Sequence, residues 1–286
     1  MSASHSSAAI GCIDHIVIVV DDLEHGAETY RRLGFTLSPK GVHSAAMGSA
    51  NHTIMLQNDY FELLAVLAPT ERNARWRQAL GEGGGVAGVA LTTQDAGAAY
   101  AHWLAQGLAP KEPIHFARDV VRTDGKRLEA RFEVVSLPEV PDTGMRIFVC
   151  SQPTREAVWL PELLDHANTA QAINRLTLAC ADPAATARQW QRVIPAISVS
   201  QTQDGLSINA GPHRIDLIGH GVALSRFDYP VSAGQTRAVG INFRVSDLAM
   251  CRSILKSNGV AFVERDKSIM VPADAACHVR LAFEHP

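Results

Sequence analysis

Ile13-Asp14-His15-Ile16-Val17-Ile18-Val19-Val20-Asp21-Asp22 is an apolar, β-branched run that ends in an acidic pair and then turns helical. Three later stretches share this form: Gly88-Val89-Ala90-Leu91-Thr92-Thr93-Gln94-Asp95, Ile173-Asn174-Arg175-Leu176-Thr177-Leu178-Ala179-Cys180-Ala181-Asp182 and Gly240-Ile241-Asn242-Phe243-Arg244-Val245-Ser246-Asp247. Anchored on Asp22, Asp95, Asp182 and Asp247, they lie 73, 87 and 65 residues apart. Self-similarity on this scale is the first thing to settle, because a repeat determines how every single element is read.

Each anchor Asp is placed to accept from the free N–H groups of a first helical turn. Helical pattern follows over Leu23–Leu33, Ala96–Gln106, Pro183–Val193 and Leu248–Asn258, with Pro183 at a first position where its missing N–H costs nothing. Gly34, Gly107 and Gly259 fall twelve residues after their anchors and suit a left-handed helix end. The third helix instead stops before Pro195. Strand-like runs come next: 35–37, 53–56 and 60–66; the strictly alternating 128–134 after an Asp124-Gly125 turn, then 145–150; 206–209 and 214–218; and finally 278–283.

The chain is therefore expected to be α+β, with four βαβββ units paired into two curved mixed-sheet cups and helices outside. The expected division is an N-terminal pair over 1–152, a helical connector over 153–171 and a C-terminal pair over 172–286. A length of 286 residues also fits two domains of ordinary size. Acids outnumber bases 29 to 26 without a basic stripe, so nucleic acid is not an expected partner. The most apolar run, Ile16–Val20, is too short to span a membrane. Residues 1–9 read as a frayed tail rather than a signal peptide, and a cytoplasmic location is expected. Five dispersed cysteines with no C-x-x-C argue against disulfides and against a thiolate zinc site.

Paired βαβββ units, with His15 near the start of the first strand and Glu62 in the last, resemble the vicinal oxygen chelate superfamily. That group includes glyoxalase I, extradiol dioxygenases and bleomycin-binding proteins. The segment from Gly41 to Asn51 with Asp59-Tyr60-Phe61-Glu62-Leu63, and Phe148-Val149-Cys150-Ser151-Gln152 followed by Val158-Trp159 and His166-Ala167-Asn168, resemble its glyoxalase-like branch.

The resemblance implies a divalent metal (Zn, Mn, Ni or Fe) on the floor of the first cup, held by His15 and Glu62. Seven residues before the other anchors stand Gly88, Arg175 and Gly240, and the last-strand counterparts of Glu62 are Phe148, Asp216 and Ala282. Glu62 and His43 are the candidate proton-transfer groups, and Asn51, Gln152 and His115 the candidate substrate-binding residues. Arg175 and Asp216 are candidates for a salt bridge in place of a third-unit metal. Trp159 and Trp190 read as packing, and His166 as part of the connector. The cluster Arg118, Arg122, Lys126, Arg127 and Arg131 is interleaved with acids and reads as a solvated hairpin face.

Two functions follow. One is a metal-assisted lyase or isomerase acting on a small molecule with vicinal oxygens. The other is a metal-free small-molecule binding protein of the antibiotic-sequestering kind. Extradiol dioxygenase chemistry fits less well, because its two-His-one-carboxylate set is not visible. A homodimer with a shared site is a further option.

Overall fold

A computed structural model describes residues 10–122, 125–265 and 267–285. The tail over 1–9 and Asp124 of the expected turn lie outside the described residues.

The repeat is realised four times. The first unit runs β1 (Ile13–Val19), α1 (Leu23–Arg32), β2 (Gly41–Val42), β3 (Ser49–Met55) and β4 (Tyr60–Val66), and a short helix α2 (Ala74–Gly81) follows it. The second comprises β5 (Gly85–Thr92), α3 (Ala96–Ala105), β6 (Ile114–Val121), β7 (Arg127–Leu137) and β8 (Arg146–Ser151). The third comprises β9 (Ala170–Cys180), α4 (Pro183–Val193), β10 (Ser198–Gln201), β11 (Gly205–Ala210) and β12 (His213–Gly219), trailed by α5 (His220–Phe227). The fourth is β13 (Arg237–Val245), α6 (Leu248–Ser257), β14 (Val263–Arg265), β15 (Ser268–Val271) and β16 (Arg280–Glu284).

The strands form two eight-stranded sheets of the same topology, β2-β3-β4-β1-β5-β8-β7-β6 and β10-β11-β12-β9-β13-β16-β15-β14. Within a unit the first and last strands pair in parallel, and two units join antiparallel through β1–β5 or β9–β13. All four anchor aspartates cap their helices through backbone N–H groups, and Gly34, Gly107 and Gly259 have positive φ just beyond the helix ends.

Strand alternation sends Ile16, Ile18, Phe61 and Leu63 to one face of the first sheet, where they join a core shared with the second. Phe35 touches Phe61, Phe243 and Phe283 there, with ring centroids 5.2, 5.3 and 6.0 Å away. Helices from the two halves meet as well. Trp103 of α3 donates to the Val193 carbonyl at 3.0 Å, and Arg32 of α1 donates to the Asn258 carbonyl at 3.2 Å. The opposite face carries Val17, Val19, Tyr60 and Leu64, which belong to a separate apolar cluster lining the first cup.

Three local expectations are corrected. Residues 35–37 are not a strand, because connector atoms take their polar groups: the Thr36 N–H donates to His166 Nδ1 and its hydroxyl to the Asp165 carbonyl. The last strand starts at Arg280 rather than 278, since Cys277 and His278 have positive φ. Between β8 and β9 there are only two single 3-10 turns, Arg155–Ala157 and Pro161–Leu163, and no α-helix. Trp159 fixes this stretch by donating to the Leu56 carbonyl at 3.0 Å.

A buried ion pair ties the halves together. His213 Nε2 donates to Asp59 Oδ2 at 3.0 Å with both side chains 2% exposed, and Asp59 Oδ1 accepts the Ile173 N–H at 2.9 Å. Burial pulls the His213 pKa down, but its hydrogen bonds and charge interactions with Asp59 and Cys12 outweigh that and raise it to about 9. A raised histidine pKa stabilises the fold fully below the unfolded value of 6.5, and this contribution is lost as pH climbs through the folded value. The gap corresponds to on the order of 3 kcal/mol, part of which Cys12 returns as it ionises beside the imidazolium. Urea midpoints should therefore fall between pH 6.5 and 9 in the wild type. They should be lower and flatter across that window in His213→Asn.

Candidate functional site

The first cup acquires its polar groups through a bulge. In the β1–β5 register Ile13 faces Leu91 and His15 faces Ala90, so Asp14 is the extra residue. Two consecutive side chains thereby act together: the His15 Nδ1–H donates to Asp14 Oδ2 at 2.6 Å. Gln152, at the end of β8, donates to the same carboxylate oxygen at 3.0 Å, while its own Oε1 is buried without a hydrogen-bond partner. The His15 ring stacks on Tyr60 at 4.3 Å and meets the Phe148 ring edge-on at 5.3 Å. Burial, then the charges of Asp14 and neighbouring groups, keeps the Tyr60 phenol protonated well above its usual range. A cavity of about 450 Å³ opens at this end of the cup, lined by Asp14, Thr92, Gln152 and Arg155 among others.

Glu62 lies two residues along β4 from Tyr60, opposite Val17, and is 9% exposed among apolar neighbours. A buried carboxylate requires a partner, and Asn51 of β3 donates to its Oε2 at 2.5 Å. Burial lowers the His43 pKa against the opposing pull of Glu62, with Arg118 adding to the lowering, which favours a neutral imidazole. His43 Nδ1 hydrogen-bonds with the Ser49 hydroxyl at 2.8 Å.

Two arginines complete the site. Arg146 lies over the Trp76 and Phe148 rings at 5.1 and 5.5 Å and donates to the Ser136 hydroxyl at 2.9 Å. Burial lowers its pKa and Glu62 opposes that. On β6, Phe116, Arg118 and Val120 turn inward, and Arg118 lies over the Phe132 ring at 5.6 Å. A Cβ on Gly41 would stand 2.6 Å from Asn51 Oδ1 and 2.8 Å from Arg118 Nη1, so the glycine leaves room for these two groups to converge. Arg118 Nε is buried and has no hydrogen-bond partner.

The structure thus brings His15, His43, Asn51, Glu62 and Gln152 to one cup. It does not bring His115, which points outward from β6, 67% exposed and 3.6 Å from Glu133. Arg118 is corrected from a solvated hairpin residue to a cup residue. The signal was the alternation of Phe116, Arg118 and Val120, which places the arginine on an apolar face. Asp14 was passed over because a regular strand would turn it away from His15. His166 is confirmed in the connector, donating from Nε2 to the Met55 carbonyl at 2.8 Å.

The donor set does not fit the metal that the fold implies. Of the four ligand positions, two are Gly88 and Phe148. The space at Gly88 is filled, since a Cβ there would approach Trp76 Cη2 to 2.8 Å. Phe148 sets an aromatic ring against His15 where a carboxylate would be needed. Among the described residues no three His, Cys, Asp or Glu side chains are grouped as a metal site. Two protein ligands fall short of the three that catalytic sites ordinarily supply.

In the second cup, Arg175 and Asp216 pair at 3.3 Å, as the sequence anticipated. Glu284 joins them 3.9 Å from Arg175 and accepts from Asn242 at 2.5 Å. The floor is therefore closed by internal ion pairing.

Two sheets of paired βαβββ units with polar groups on the cup floor define a vicinal oxygen chelate fold. The chain belongs to the glyoxalase-like domain family, whose model matches residues 13–194. No curated protein matches it. Similar solved structures include a hypothetical protein from Staphylococcus aureus (12% identity, TM-score 0.67, covering 96% of this chain and 99% of that one). A xylose isomerase-like TIM barrel/4-hydroxyphenylpyruvate dioxygenase fusion protein is also similar (14% identity, TM-score 0.63), and this chain matches half of its length while 98% of this chain is covered. A mutant 4-hydroxymandelate synthase from Streptomyces coelicolor aligns at 13% identity and TM-score 0.60, covering 97% and 92% of the two chains. At these identities the likeness is one of fold.

The donor set leads to a prediction. After loading with Zn, Mn, Ni or Fe(II) and gel filtration, the wild type should retain well below one equivalent of metal by mass spectrometry. His15→Ala should not change that value.

Proposed function

We propose that the first cup binds a small, largely apolar molecule bearing an oxyanion, and that Glu62 exchanges a proton with it in metal-independent lyase or isomerase chemistry. The observation that carries this reading is the orphaned Nε of Arg118, a charged donor without a partner on an aromatic wall. A buried donor left unsatisfied costs on the order of 1–3 kcal/mol, which a ligand oxygen would recover.

The roles follow from the chemistry of each group. Arg118 and Arg146 stabilise negative charge that develops on the ligand, as fixed donors in an apolar site do. Glu62, kept in place by Asn51, is the base that takes the proton. His43, favoured as the neutral form, is suited to pass that proton onward. Gln152 Oε1 offers an acceptor for a ligand hydroxyl at the open end. Asp14 holds His15 in one tautomer and orientation. A binding protein without turnover would use the same arginines and leave Glu62 idle.

The two readings separate in deuterium exchange. Aryl α-hydroxy ketones bearing a carboxylate would be incubated with the protein in D2O with EDTA, and loss of the C–H signal followed by NMR. Exchange should persist in EDTA, fall by about 10²-fold or more in Glu62→Gln, and require more ligand for saturation in Arg118→Ala. Binding without exchange would leave the sequestering reading, and exchange abolished by EDTA would restore the metal.

A further inference from the structure

The second cup is closed at its floor but not along its whole length. In the fourth unit, strand register puts Arg265 of β14 in one row with Ser268 and Glu284, and Val263 in the next row with Met270 and Ala282. Alternation therefore turns Val263, Arg265, Met270 and Arg280 to the face that carries Glu284. Arg280 stands four residues along β16 from Glu284, about 13 Å from the ion-paired floor. The facing wall comes from α5. Asp228, with φ 51°, ends that helix in the left-handed conformation and turns the chain back. Phe227, Tyr229 and Val231 then pack on the cluster of Ala179, Ile218 and Val239. Between the two walls lies a cavity of about 680 Å³.

Four arginines line it, and two are paired internally, Arg226 with Asp204 and Arg237 with Glu82. Asp228 and Asp274 also line the cavity, yet among the described residues no carboxylate makes an ion pair with Arg265 or Arg280. The half-buried Arg280 guanidinium lies over the Phe227 ring at 4.6 Å. It donates to the Arg226 carbonyl at 3.3 Å and to the Met270 thioether at 2.7 Å, and a thioether is a weak acceptor. Burial, and then the charge of Arg265, lower its pKa, as expected of a cation whose charge is poorly compensated.

We propose that this part of the second cup is a further ligand site, which takes a small organic carboxylate with an apolar body. The carboxylate faces Arg280 and Arg265, whose guanidinium forks match its geometry and bind it through charge-assisted hydrogen bonds. The body lies between Phe227, Tyr229 and Met270, an apolar lining that an inorganic anion would leave unused. Stacking on Phe227 orients Arg280 in advance, so little conformational freedom is lost on binding. No covalent step is involved, and the site does not depend on the chemistry proposed for the first cup.

The full chain would be irradiated with 4-benzoylbenzoate, a photoactivatable aryl carboxylate, and the adducts mapped by mass spectrometry. Adducts are expected on Met270 or within residues 227–231. 4-Phenylbutyrate should suppress them at a concentration about tenfold or more below that needed of 4-phenylbutyramide, its neutral counterpart. At subsaturating probe, Arg280→Gln, checked for folding by circular dichroism, should cut labelling of these segments by a similar factor. Labelling that spares both segments, even if it appears in the first cup, overturns the proposal. So does equal suppression by the acid and the amide, which decides the matter in the wild type even if the variant does not fold.

Discussion

The antiparallel join between β1 and β5 is the constraint on which the first cup depends. Among the described residues the two four-stranded halves are strand-paired only there, and the pairing slips by one residue at Asp14. A regular pleat would alternate the side chains and send Asp14 and His15 to opposite faces. The slip instead lets them hydrogen-bond with each other and brings Gln152 from the end of β8 onto the same carboxylate. The equivalent join between β9 and β13 slips at Asn174, and Asn174 and Arg175 both reach Glu284. The same backbone irregularity thus collects polar groups on both floors, and side-chain identity decides what they become.

That decision differs between the halves. In the second cup an arginine takes the position of His15, and the two carboxylates around it, together with Ser207 and Asn242, use the floor's polar groups on one another. In the first cup the charges are left open. Glu62 has an amide partner and no arginine in salt-bridge contact among the described residues, and two guanidinium groups rest on aromatic rings instead of on carboxylates. Charges held in an apolar setting without direct ion-pair contact act strongly on whatever enters it.

Much of the fold was legible in the sequence because its signals are local. Asp22, Asp95, Asp182 and Asp247 each cap a helix with their own side chain, and the glycines beyond three of those helices have the conformation that ends them. The short helices α2 and α5 were not anticipated, nor were edge strands β2, β10 and β14, since segments this short hold their shape through contacts rather than pattern. The site was legible only where it coincides with the repeat, at His15 and Glu62. The inward direction of Arg118 was legible in the alternation of Phe116, Arg118 and Val120, but not that its strand lies across from β2 and β3, and the register slip that brings in Asp14 has no signature within a few residues. The Asp59–His213 pair spans 154 positions and escapes any local reading.

The packing of Trp76 against Gly88 also limits what this scaffold can become. A histidine at position 88 would meet the indole at 2.8 Å from its first side-chain carbon, before its ring is placed at all. Shrinking Trp76 first would open a void and withdraw one of the two rings beneath Arg146. Either change alone is costly, and the benefit of a metal ligand comes only when both are present. The two positions are therefore coupled, and a four-ligand floor would require both of them to change together with Phe148.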